Sequence, residues 1–192
     1  MAVSPTQVAC QLIAAGQYGD VAPQLDVMEL QTADLDQWPH TLQLLGHIYN
    51  GDIEDARFAW KRASDTHKQN SELKAALAVL QQLWNKNYQG VWPALTSFQW
   101  SASASPLVLA IATRQRQHAV QLVSCAYSSI QPARLAALTG STPEEALQIA
   151  QSQGWQLHGE VILVKRKEAD SGSKSASDHL QHLTEFVVQL ET

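Results

Sequence analysis

The sequence predicts a mostly α-helical chain: helical repeats of tetratricopeptide type, then a winged-helix subdomain, then a C-terminal helix. Three observations carry this. Apolar residues recur at steps of three and four through the first two-thirds of the chain. From Ser128 the pattern shortens to two brief helices and a hairpin. A polar stretch centred on Asp170-Ser-Gly-Ser-Lys-Ser-Ala-Ser then precedes one last amphipathic stripe. The expected units are residues 1–127 (repeats), 128–167 (winged helix), 168–177 (linker) and 178–192 (terminal helix).

Taken in order, Ser4-Pro5 opens a first helix, with Val8, Leu12 and Ile13 on one face and Gly16 near its end. A second runs from about Asp20, as cap, to Gln31, with Pro23 in its first turn. The stretch from Trp38 to Tyr49 is a third, broken at Asn50-Gly51-Asp52, and Ile53 to Ala63 a fourth. Gly46, Tyr49, Ala56, Trp60 and Ala63 fall close to tetratricopeptide positions. Small residues there let two antiparallel helices approach, and the rings fill the space beside them. Such a pair needs neighbours to cover its apolar face. These follow at Asn70 to Trp84 and Tyr88 to Phe98, with Trp84, Trp92 and Trp100 read as inter-helix packing. A long helix starts at Ser103 or Ser105, with Pro106 at its head. Arg114-Gln-Arg-Gln-His118 makes its middle either solvated or a break.

In the winged-helix part, a helix over 131–138 stops at Gly140. Ser141-Thr142-Pro143-Glu144-Glu145 opens another, with a cap, a Pro at the first turn and two carboxylates against the positive dipole end. Trp155 to Val164 reads as a hairpin turning at His158-Gly159. Val161, Ile162, Leu163 and Val164 form a continuous apolar run, which implies cover on both faces. An exposed edge there would accept a strand from another chain. On the last helix Leu180, Leu183, Phe186, Val187 and Leu190 make one stripe. It either folds back on its own domain or joins helices of other chains.

Composition narrows the function classes. The 192 residues are 45% hydrophobic and only 16% charged, with a formal net charge of −5. That is globular, and not drawn as a whole to nucleic acid or anionic lipid. No apolar run reaches membrane-spanning length, and no basic region precedes a long apolar run as in a secretory leader. A soluble intracellular protein is expected. Cys10 and Cys125 sit in apolar helical stretches and are expected to be buried thiols; no CxxC pair exists for zinc. His179 and His182 are three apart, with only Glu185 near as a third ligand, and are read as exposed polar residues. HExxH, Walker A, GxGxxG and GxSxG are all absent, so neither a catalytic residue nor a cofactor is assigned. A DNA-reading winged helix is the competing class. Its second helix would meet phosphate with Glu144 and Glu145 and no Lys or Arg from Thr142 to Gln153, leaving only Lys165, Arg166 and Lys167 at the hairpin exit.

Repeats followed by a winged helix is the arrangement of PCI-domain proteins, found in the proteasome lid, the signalosome and translation initiation factor three. Asp36-Gln37-Trp38-Pro39, Leu44-Leu45-Gly46, Asp55-Ala-Arg-Phe-Ala-Trp-Lys-Arg62, Asn70-Ser71-Glu72-Leu73 and Tyr88-Gln-Gly-Val-Trp92 carry a closer match. So do Ala126-Tyr-Ser-Ser-Ile130, Gly154-Trp155 and Leu183-Thr-Glu-Phe-Val187. Over nearly its whole length the chain resembles the family of smallest PCI subunits of the COP-nine signalosome, its plant and algal members most. The resemblance implies a non-catalytic scaffold within a complex that deneddylates cullin-RING ubiquitin ligases. That complex carries its metalloprotease site in a different subunit. It further implies contact with other PCI subunits through the winged helix, the third subunit as neighbour, and a place in the nucleus and cytoplasm. The stripe from Leu180 to Leu190 is then assigned to an inter-subunit helical bundle. A PCI subunit of the proteasome lid is the nearest alternative.

Overall fold

The computed structural model describes residues 4–32, 38–159 and 161–165. The chain enters through α1 (Pro5–Ala14), opened by a reciprocal cap between Ser4 and Gln7, and passes a 3-10 turn (Tyr18–Asp20) into α2 (Val21–Gln31). Then come α3 (His40–Asn50), α4 (Ile53–Arg62), the one-turn α5 (Asp65–Lys68), α6 (Ser71–Trp84) and α7 (Tyr88–Thr96). Asn70 and Asn87 cap α6 and α7 by accepting from the amides of Glu72 and Gly90. A single helix of 22 residues, α8 (Ser105–Ala126), leads to β1 (Ser129–Ile130), α9 (Pro132–Thr139), α10 (Pro143–Ser152), β2 (Gln156–His158) and β3 (Val161–Leu163). Among the described residues the fold is therefore mostly helical, with one small antiparallel sheet in the order β1-β3-β2.

Packing organises around α3, which touches α2, α4, α6 and α8. Every residue of α3 from Leu42 to Ile48 is buried. A helix enclosed on all sides must satisfy its polar side chains inside the protein. Gln43, 1% exposed, does so completely enough to tie three segments together. Its Oε1 accepts from the Trp38 indole at 2.8 Å, and its Nε2 donates to Asp26 Oδ1 at 2.8 Å and Glu29 Oε2 at 2.7 Å. Arg62, at the end of α4, donates twice to the same Glu29 carboxylate, at 3.0 and 2.9 Å. His47 Nε2 lies 3.3 Å from Asp26 Oδ1.

Two apolar clusters result. The larger gathers Leu25, Leu44, Leu45, Ile48, Leu73 and Val79, with Leu107 and Ile111 from the first half of α8. The smaller gathers Leu135, Ala146, Ala150, Trp155 and Ile162, with Val123 from the second half of α8. One helix thus serves both clusters.

The structure decides or corrects several expectations. Of the two alternatives for Arg114–His118, the solvated one holds: α8 runs on unbroken and all but Gln115 are exposed, although the two arginines also stack on rings. The Arg114 guanidinium stacks 4.7 Å from the Tyr49 ring, and Arg116 stacks 5.5 Å from Trp92 while its Nε donates to Thr139 O at 3.1 Å. Gly46 does admit a close helix approach, but to α2: a Cβ there would sit 3.0 Å from the Ala22 nitrogen. Cys125 is exposed, because the inward positions at that end of α8 are Val123 and Ser124, and Cys10 is only half-buried, because α1 turns Ala9 and Ile13 inward. Trp92 and Trp100 pack as expected, their indoles donating to Leu138 O and Leu95 O, whereas Trp84 is 44% exposed. Asp20 and Asp52 stand at helix starts without side-chain capping bonds.

His40 is buried at the head of α3, edge-on to the His67 ring at 4.8 Å. Burial, and secondarily the positive charge His67 can carry, lowers its pKa from 6.5 to about 4; Arg62 adds to this and Glu29 opposes it. The unfolded chain therefore binds more protons between pH 6.5 and about 4, so stability drops as pH falls through that window. The shift is worth at most about 3 kcal/mol. In thermal unfolding from pH 7 to pH 4, His40→Gln should reduce the acid-induced fall in midpoint by roughly 5–10 °C relative to wild type. Parallel curves for the two proteins would assign the acid sensitivity elsewhere.

Candidate subunit interface

The winged-helix segment is built by strong local signals. Pro132 starts α9, and Gly140 ends it in the left-handed conformation at φ +63°. A side chain at Gly140 would also run into the Trp92 ring, so this glycine is required twice over. Thr142 opens α10 with a capping box: its hydroxyl accepts from the Glu145 amide at 3.3 Å, and Glu145 Oε2 accepts from the Thr142 amide at 3.0 Å. The carboxylate pair at the start of α10 is thereby accounted for as helix-terminal chemistry.

The hairpin pairs His158 with Val161, Leu157 with Ile162 and Gln156 with Leu163. On the other side of β3, Ile130 pairs with Ile162 and Ser129 with Leu163, and the Val164 amide donates to Ser128 O. The run from Val161 to Val164 was expected to be covered on both faces and to offer an edge. Instead β3 is the central strand, hydrogen-bonded on both sides, so it cannot accept a strand from another chain. Its faces differ as well. Ile162 and Val164 are buried on the small cluster, while Leu163 is 43% exposed and Val161 half-buried. The outer strands are the two-residue β1 and β2, and on β2 Leu157 is 60% exposed. Leu157 was missed by sequence reasoning. Its flanks, Gln156 and His158, are polar, so only a strand assignment to 156–158 with β2 outermost could have exposed it. The other expected interface residues, Leu180, Leu183, Phe186, Val187 and Leu190, lie outside the described residues, as do His179 and His182.

The electrostatics argue against a groove-reading helix. Glu144 and Glu145 are exposed at the start of α10, which carries no cation. Carboxylates there repel phosphate. Metal-ligand types converge at one place among the described residues, where His47, Asp52 and Asp55 offer atoms within 4.8 Å of one another. Asp52 and Asp55 flank the positive end of α4, which explains two carboxylates without an ion. Among the described residues, no helix is long and apolar enough to cross a membrane.

Gly140→Ala should cost about 1–2 kcal/mol from the left-handed backbone alone, and more from displacing Trp92. A drop of at least about 3 °C in the thermal midpoint is expected. A midpoint matching wild type would mean that the α7–α9 contact is looser than the structure shows.

The comparisons agree with this architecture. The family described as CSN8/PSMD8/EIF3K matches residues 34–174. A protein of Arabidopsis thaliana named COP9 signalosome complex subunit 8 is 33% identical over the whole of both chains. Proteins of the same name are 32% identical in Danio rerio, covering 77% of this chain and 80% of the relative, and 24% identical in Dictyostelium discoideum, covering 88% and 87%. With a matching family profile across most of its length and a full-length relative above 30% identity, the chain belongs to the CSN8/PSMD8/EIF3K family.

Proposed function

We propose that this protein is a non-catalytic scaffold subunit of a COP9 signalosome, the complex that removes a ubiquitin-like modifier from cullin-RING ligases. The full-length match to the Arabidopsis subunit carries the reading. The winged-helix segment supports it by presenting a short outer strand, β2, with exposed Leu157 on one face of the sheet and exposed Leu163 on the other, an edge suited to pairing with a like segment of another subunit. Within this reading, residues 128–167 contact a neighbouring PCI subunit, the third subunit foremost. The stripe of Leu180, Leu183, Phe186, Val187 and Leu190 enters the shared helical bundle. The repeats of residues 1–127 form the outer arm, residues 168–177 the linker. The protein acts with its complex in nucleus and cytoplasm, and it supplies neither a catalytic residue nor a cofactor.

Mass spectrometry of what co-elutes with a tagged chain is the direct test. Signalosome subunits in constant ratio are expected; proteasome-lid subunits in their place would move the protein to that complex. Two double variants separate the contact regions. Leu157→Asp with Leu163→Asp should lower incorporation several-fold without shifting the thermal midpoint, since both side chains are already exposed. Leu183→Asp with Phe186→Asp should do the same through the terminal helix. Wild-type incorporation of either pair would remove that region from the interface.

A further inference from the structure

The outward side of α4 and the adjoining end of α6 are not explained by packing. On α4, Arg57, Phe58 and Lys61 are related by helical steps of three and four and share one face, while Ala56 and Ala59 turn inward. Phe58 is 48% exposed, with the Lys61 ammonium 5.7 Å from its ring. Across the helix pair, the Arg57 guanidinium lies 4.9 Å over the exposed Trp84 ring. Beside it is a groove of about 270 Å³ lined by Arg57, Leu77, Leu80, Gln81, Trp84 and Asn85.

Its chemistry is one-sided. The floor is apolar: Leu77, Leu80 and the Trp84 face. The rim carries the Arg57 guanidinium, the Trp84 indole N–H and two side-chain amides, which donate as well as accept, and among the described residues no carboxylate. Among the described residues the Trp84 indole has no acceptor, as is true of Trp60 and Trp155, whereas those of Trp38, Trp92 and Trp100 have one. Lys61 pairs with no carboxylate among the described residues, and Arg57 reaches only Glu54, at 4.0 Å between exposed side chains, a contact of little energetic weight. Stacking on Trp84 holds the guanidinium in place and leaves its N–H edges open. Two exposed rings, two weakly compensated cations and a donor rim fit a carboxylate that arrives next to a large apolar side chain.

We propose that the α4–α6 groove docks an acidic–apolar segment of a partner protein: its carboxylate meets Arg57 and Lys61, and its neighbouring apolar side chain covers Trp84 and Leu77. The site shares no residue with the winged helix or the terminal stripe, and goes beyond the scaffold reading without depending on it.

The test uses the full chain and two displayed pools of twelve-residue peptides. One carries Asp or Glu at two central positions flanked by Leu, Ile, Phe or Trp; the other carries Asn or Gln at the same two positions. Wild-type protein is expected to recover the acidic pool roughly tenfold over the amide pool at low salt, with the preference shrinking as salt rises. Arg57→Gln with Lys61→Gln, both on the surface, should bring the ratio to near one. Gln81→Glu, which removes no packing and adds a repelling carboxylate to the rim, should do likewise. Equal recovery of the two pools by wild type overturns the proposal, as does undiminished acidic preference in either variant.

Discussion

The structure depends on a polar group placed where no water can serve it. Gln43 sits on the buried face of the central helix, and three bonds use its carbonyl and both amide hydrogens. Each orphaned partner would cost about 1–3 kcal/mol, so the segment at Trp38, helix α2 and helix α3 are held in one relative placement. Glu29 extends the constraint by accepting from Arg62 as well, which fixes the far end of α4 to α2. Apolar packing alone would tolerate sliding of these helices; a fully used carboxamide does not. The close approach of Gly46 to Ala22 is possible only in that placement.

The same logic joins the two clusters. Trp92 on α7 donates to Leu138 O at the end of α9, Arg116 on α8 donates to Thr139 O, and the guanidinium stacks on the Trp92 ring. Gly140 leaves room for that ring. Helix, indole and guanidinium together meet the C-terminal carbonyls of α9, which would otherwise lack partners. For a scaffold subunit this matters mechanically. A helical arm and a winged helix clamped through one continuous α8 transmit orientation from one contact surface to the other, as a flexible joint would not.

What could be read in the sequence, and what could not, follows from range. Helix ends are local chemistry, so Ser4-Pro5, Asn70, Gly140 and Thr142-Pro143 marked their elements correctly. The winged-helix outline was legible for the same reason. Side-chain partners distant in sequence were not. Arg114 and Arg116 look like solvated charges until Tyr49 and Trp92, about 65 and 24 positions away, supply their faces. Gln43 looks like the polar side of an amphipathic helix; only enclosure of α3 by four neighbours makes it central. Strand β1 spans two residues, too short for any periodicity, and without it β3 reads as an edge when it is the centre of the sheet. That two-residue strand is what takes the edge away from Val161–Val164 and leaves β1 and the Leu157-bearing β2 outermost.

The exposed apolar side chains then acquire a pattern. Leu157 and Leu163 lie on the hairpin, Phe58 and Trp84 on α4 and α6, Leu109 and Leu122 on α8, and Val27 and Leu30, the latter 89% exposed, on α2 beside the Gln43 network. None of these patches approaches by itself the roughly 1,200 Å² that a stable standard interface buries. Presented on one body with fixed geometry, they need not. Under the proposed reading, engaging one patch would hold the others at high effective concentration near the same partners, and weak contacts would sum to a stable position. A subunit built this way tolerates the loss of any single contact better than the loss of the internal bonds that keep the patches in register. Under that reading the Gln43 and Trp92 junctions are where assembly would be most tightly coupled to folding.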